Sequence, residues 1–155
     1  MLHPTIPGES TDAAHAGWID AYGLDGGAVN VSGGGGGGSG VTNFDDIAIL
    51  KGTDKATPLL FDQIARGLIT PLVTIEVCRT APAQCYYKVE LTNAQVANID
   101  LSGSSCVGAG ACTPVQTESV SFRYTRIRWT YTPWVGGSPG TPVSRCFDVL
   151  SRPSC

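Results

Sequence analysis

The sequence has little charge, few aromatics and almost no histidine. Charged residues make up 15% of its 155 positions and aromatics 8%, with a net charge of −3 at neutral pH. A quarter of a typical globular chain is charged, so this one gives no broad electrostatic reason to meet nucleic acid or an anionic membrane. No apolar run approaches the roughly 20 residues of a spanning helix, and a soluble protein is expected. Only His3 and His15 could serve a histidine-dependent reaction, and nothing along the chain ties either to an acid and a nucleophile. Met1-Leu2-His3-Pro4 lacks the basic and then apolar stretch of a leader. Export is therefore expected through a leader already removed or by another route.

What the sequence does have is turn chemistry and cysteine: 20 glycines, 10 prolines and 6 cysteines. Its length fits a single domain over residues 1–155, burying about two-thirds of the unfolded surface. The cysteines fall in close couples, Cys78 with Cys85, Cys106 with Cys112, and Cys146 with Cys155. Fifteen connectivities are possible on paper, of which pairing within each couple is the economical one. The rival reading is zinc, whose structural sites use tighter C-x2–4-C spacings. Disulfides point to an oxidising compartment.

Periodicity predicts a mainly β chain. Strands are expected at residues 1–6, 18–24, 41–50, 72–78, 86–99, 117–131 and 143–150. In 117–131 the apolar parity changes between Tyr124 and Ile127, so a β-bulge near Thr125-Arg126 would keep both halves on one core. One helix is expected within residues 54–66. Thr57 would be its N-cap, Pro58 its first position, Leu59, Leu60, Phe61 and Ile64 its apolar residues, and Gly67 its stop. Residues 26–43 form a long glycine-rich loop; too few residues precede it for it to link two domains. Asn30-Val31-Ser32 is a formal glycosylation acceptor.

Motifs that carry chemistry elsewhere have plainer explanations here. Gly136-Gly137-Ser138-Pro139-Gly140 matches G-x-S-x-G, but a nucleophile elbow needs a helix directly after the serine, and Pro139, Thr141 and Pro142 forbid one. Asp45 and Asp46 would point to opposite faces of a strand and share no site. The glycine tract lacks the Gly-Lys-Ser/Thr ending of a phosphate-binding loop. Arg123, Arg126 and Arg128, interleaved with aromatics, are read as a solvated or subunit-facing strand surface. No enzyme is predicted, with no catalytic residue, metal ligand or cofactor site.

In order along the chain, these features resemble the Hcp family, the tube-forming proteins of type VI secretion. The resemblance rests on Ile6-Pro7-Gly8-Glu9-Ser10-Thr11-Asp12 with His15 and Trp18. It continues through Phe44-Asp45-Asp46-Ile47-Ala48-Ile49 with Lys51, and the helix start Asp54-Lys55-Ala56-Thr57-Pro58-Leu59-Leu60. Lys88-Val89-Glu90-Leu91, and Glu118, Val120 and Phe122 followed by Tyr131 and Pro133, complete it. It implies a curled, antiparallel two-sheet β-barrel with one flanking α-helix, packed with copies of itself as six-membered rings that stack into a hollow tube. In such a tube the loop after the second strand reaches the neighbouring ring. The inter-subunit residues expected on that basis are Gly33, Gly34, Gly35, Gly36, Gly37, Gly38, Ser39, Gly40, Val41, Thr42 and Asn43. Six paired cysteines depart from the family's pattern, as does the C-terminal segment. A secreted, extracellular tube or filament is therefore expected, with small protein cargo in its lumen as a further partner and neither nucleic acid nor membrane insertion. An injected type VI inner tube carrying effectors and a monomeric secreted binding module are the alternatives.

Overall fold

The computed structural model describes residues 2–3, 6–31, 40–103, 116–151 and 154–155. Its strands are β1 (Leu2–His3), β2 (Ala21–Asp25), β3 (Ala28–Val31), β4 (Val41–Phe44) and β5 (Ile47–Gly52). One helix, α1 (Thr57–Arg66), separates these from β6 (Ile69–Thr80), β7 (Ala83–Ser102), β8 (Thr117–Arg123), β9 (Arg126–Tyr131), β10 (Trp134–Val135), β11 (Ser138–Pro139) and β12 (Val143–Asp148). The described fold is mainly β, a curled antiparallel sheet with one flanking helix, as the sequence implied.

The eight-stranded sheet runs β1-β6-β7-β8-β5-β2, with β9 also on β7 and β12 on β9. Strand β7 is 20 residues long and organises the barrel. Residues 95–102 pair with β8 and residues 87–92 with β9, so β8 and β9 follow one another along the same strand. Between them Tyr124 and Thr125 leave the ladder, opposite Asn93, whose φ of 50° is left-handed. This two-residue break does what the parity change required: Val120, Phe122, Tyr124 and Ile127 all enter the core. Ile49, Val73, Ile75, Val89 and Leu91 meet them there. Burying each such side chain stabilises the fold by about 1.5–3 kcal/mol.

Helix α1 is capped one residue earlier than expected. Its cap is Ala56, and Thr57 already lies in the helix, with its hydroxyl turned inward. No side chain caps the first turn, and Asp54 Oδ1 accepts from the amide of the cap residue Ala56 at 2.9 Å. Leu60 and Ile64, four residues apart, pack on the core, whereas Leu59 and Phe61 are exposed, so the apolar stripe is narrower than the residue types suggested. Gly67, at φ 62°, ends the helix in the left-handed conformation, and the Gly67 and Leu68 amides bond back to Ile64 and Gln63.

Three other expectations are corrected. The second strand begins at Ala21, because residues 8–18 fold back on themselves with Gly8 N–H donating to Gly17 O and Ser10 N–H to Trp18 O. Residues 41–50 form two strands broken at Asp45 and Asp46, which therefore do not alternate along one strand. Within residues 26–43, 28–31 and 41–44 pair as a two-stranded ribbon, so this stretch is a hairpin where a long irregular loop was expected. Gly136-Gly137-Ser138-Pro139-Gly140 is a tight turn between β10 and β11, its first two glycines at φ 59° and 86°. Ser138 is exposed there and donates only to the Val135 carbonyl.

Candidate functional site

Among the described residues, strict alternation puts charge into the barrel at one place. In β5 residues Ile47, Ile49 and Lys51 face inward, and in β8 Glu118, Val120 and Phe122 do. Lys51 and Glu118 are register partners, and both are fully buried. The Lys51 ammonium lies 2.6 Å from Glu118 Oε1, 2.8 Å from Asp54 Oδ1 and 2.7 Å from the Gly52 carbonyl, with Thr57 Oγ1 at 3.2 Å. The Thr57 hydroxyl donates to Glu118 Oε1 at 2.9 Å and accepts from the Asp54 amide. This cluster ties the first turn of α1 to two strands. Its ammonium is sealed from water, so it is a structural centre with no access for a substrate.

A second cluster lies on the outward face of β6 and β7. A register shift between Val77 and Cys78 makes Cys85 the partner of Cys78, and the two form a disulfide. Glu76 stands two residues before Cys78 and so shares its face. His15 reaches the cluster from the turn at residues 8–18. Its Nδ1 is 2.7 Å from Asp12 Oδ1, and its Nε2 is 3.0 Å from Glu76 Oε2 and 3.7 Å from Cys85 Sγ. The Trp18 ring meets the imidazole edge-on at 4.6 Å between centroids. Burial opposes charge on His15, but the bonds and charges of Glu76 and Asp12 outweigh it and raise its pKa above the ordinary value. The same bond to His15 holds Asp12 below its usual range.

The third feature is apolar surface at strand edges. Among the described residues, β2 pairs only with β5, while β12 pairs with β9 and is bridged on its other side at Phe147 by Ser154, leaving backbone groups open along β2 and the start of β12. Tyr22 on β2 is 68% exposed and Val143 on β12 is 58% exposed. The β3–β4 ribbon follows directly on β2. Its base is fixed by Phe44, which packs against Phe147 and Trp129, and by Asp45 N–H donating to Gly27 O. Beyond the base one face carries Val29, Val31 and Val41, all exposed, and the other carries Asn30 and Thr42, hydrogen-bonded at 3.0 Å.

Of the residues singled out in the sequence, Cys146 and Cys155 form a second disulfide. Cys106, Cys112 and Gly33 through Ser39 lie outside the described residues. Gly40 precedes β4, which contains Val41, Thr42 and Asn43. Arg126 and Arg128 are on the exposed face of β9, where Arg126 bonds Asp148 at 3.3 Å, and Arg123 ends β8. Sequence reasoning missed the function of Lys51 with Glu118 and the meeting of His15, Glu76 and the Cys78–Cys85 pair. The first had a signal, a charge at an inward position in each of two strands. The second had none, since 61 residues separate His15 from Glu76. Tyr124 is also pushed up to about 12, by burial and then by the charges of Asp46 and Asp45, while its hydroxyl donates to the Asp45 carbonyl. No helix among the described residues is long and apolar enough to cross a membrane.

Comparison with known proteins gives the same architecture. A structure described as that of a type six secretion system protein superposes with a TM-score of 0.86 at 22% identity, covering 99% of this chain and 97% of that one. Hcp1 from Salmonella typhimurium gives 0.78 at 21% identity, over 99% and 96% of the two chains. A type VI secretion system effector from Yersinia pestis gives 0.75 at 19% identity, over 96% and 98%. None of the curated proteins matches by sequence. The family model described as "Type VI secretion system effector, Hcp" matches residues 1–131, and this chain therefore belongs to the Hcp family.

Proposed function

We propose that this Hcp protein is a structural, non-enzymatic subunit that assembles with copies of itself into six-membered rings, stacked as a hollow tube outside the cytoplasm. The observation that carries this reading is the β3–β4 ribbon. A two-stranded ribbon on its own is marginally stable in water, and this one presents three valines to solvent on one face. Covering that face with a neighbouring subunit would remove apolar area from water and order the ribbon together. The segment from Gly33 to Asn43 then belongs to the contact between rings. The open edge of β2 suits a heterologous contact, in which that edge meets a different surface of the next copy and the rotation closes a ring. The disulfides Cys78–Cys85 and Cys146–Cys155 support an oxidising destination. Small protein cargo would occupy the lumen.

Electron microscopy of the purified chain, with and without reductant, tests the reading. Stacked rings are expected, and Val31→Asp should reduce them to single rings or monomers while the circular dichroism spectrum stays that of wild type. Monodisperse monomers at every concentration would leave a binding module with the fold alone.

A further inference from the structure

The outward cluster brings together four donors of the kind that hold a transition metal. His15 Nε2, a carboxylate oxygen of Glu76 and the Sγ atoms of Cys78 and Cys85 all lie within 4.8 Å of one another. Zinc bonds of about 2.0–2.3 Å place tetrahedral ligands about 3.3–3.8 Å apart, so the two sulfurs must part once their bond is reduced, while the other donors already stand close to the spacing needed. The donors come from three segments, the turn at residues 8–18, β6 and β7, and the register shift before Cys78 sets both sulfurs on the face that Glu76 occupies. Asp12 completes the arrangement. By accepting from Nδ1 it fixes the imidazole with Nε2 aimed into the cluster, as the carboxylates behind zinc-bound histidines do. Nε2 lies 3.0 Å from the Glu76 carboxylate, so an ion bound by both would take the place of the hydrogen bond between them. The cluster is open on the Cys78 side, which gives an ion a path from solvent.

We propose that reduction of the Cys78–Cys85 disulfide converts this cluster into a binding site for one divalent ion of the zinc class, held by His15, Glu76, Cys78 and Cys85. A low-molecular-weight thiol is the reductant: two of its molecules give two hydrogens to the sulfurs and leave as a disulfide. Binding then displaces both thiol protons, and the proton on Nε2 where one is present, to solvent. The mixed sulfur, nitrogen and oxygen set suits a borderline ion over the harder magnesium or calcium. The same staple between β6 and β7 is thus covalent in an oxidising medium and metallic in a reducing one. The site lies within one chain and would form in rings and monomers alike.

Cobalt titration of the full chain, reduced with a phosphine that does not chelate, tests this. One equivalent should bind with thiolate-to-cobalt charge-transfer bands and the intense visible bands of tetrahedral coordination, and zinc should displace it. The oxidised protein and Cys78→Ser/Cys85→Ser should show neither band, whereas Cys146→Ser/Cys155→Ser should behave as wild type. Asp12→Asn, which touches no metal ligand but His15, should weaken zinc about 10- to 100-fold in competition with a chromophoric chelator. Glu76→Gln and His15→Gln, each checked for native circular dichroism, should shift the visible bands. No bands in the reduced wild type, bands that survive Cys78→Ser/Cys85→Ser, or affinities and spectra indifferent to Asp12, His15 and Glu76 would overturn the proposal.

Discussion

Two charged clusters, on opposite sides of the same sheet, balance their charge differently. Around Lys51 the cation belongs to the chain: an ammonium on a fixed stem, ringed by oxygens from Glu118, Asp54, Thr57 and Gly52 and fully buried. Around His15 the positive charge depends on an exchangeable proton, held on an imidazole between the carboxylates of Asp12 and Glu76 at a half-open surface beside two sulfurs. The first arrangement cannot exchange its cation and can only hold structure. The second can lose or replace its own, and its sulfurs can change oxidation state. Burial and the mobility of the counter-charge, more than residue type, separate a structural charge from one open to chemistry.

Removing one charge from the sealed cluster has the largest expected effect. Lys51→Met leaves Glu118 buried without a cation and should lower unfolding free energy by about 3–5 kcal/mol. The double variant Lys51→Met/Glu118→Leu should recover most of that loss, since an apolar pair of similar volume is often neutral. Urea denaturation of both proteins checks the pair, and equal losses in single and double variants would show that the cluster is not governed by unpaired charge. The outward cluster should respond less. Cys78→Ser/Cys85→Ser, compared under oxidising conditions, should cost about 2–3 kcal/mol from loop closure. Cys146→Ser/Cys155→Ser should cost about the same, because the sequence separations are 7 and 9 residues and the model depends weakly on length. Thr57→Val keeps the shape of the residue and removes one hydroxyl from the sealed cluster. It should cost about 1–2 kcal/mol, read in the same denaturation series.

The barrel was legible in the sequence because alternation and parity are local. The change of parity between Tyr124 and Ile127 located the break between β8 and β9 within two residues, and Gly67 marked the end of α1. The hairpin at residues 28–44 was hidden by its composition. Glycine carries no pattern, and Val29 and Val31 look like a strand only once they are paired with Asn43 and Val41. The start of α1 was misplaced because Thr57 is a strong N-cap type, and nothing local reveals that its hydroxyl is claimed by Glu118, 61 residues away. The outward cluster needed the register of β6 on β7, down to the shift before Cys78, and no short-range signal carries that.

The smallest effect concerns a third charge, half-buried at the end of β12. Asp148 accepts from the amides of Leu150 and Ser151 and from Arg126. Hydrogen bonds to Ser151, then to Arg126 and Leu150, lower its pKa to about 2, against 3.8 ordinarily. A carboxylate depressed in the folded state stabilises that state above its unfolded pKa and loses the contribution as pH falls through its folded pKa. The stability Asp148 adds is therefore whole at about pH 5 and above, declines from about pH 4, and is lost as the pH falls through about 2. Melting temperatures of wild type and Asp148→Asn, followed by circular dichroism between pH 2 and 7, should differ slightly at neutral pH and converge at the acid end. A gap that stays constant across the range would mean that Asp148 acts through the shape of the turn at residues 148–151 and not through its charge.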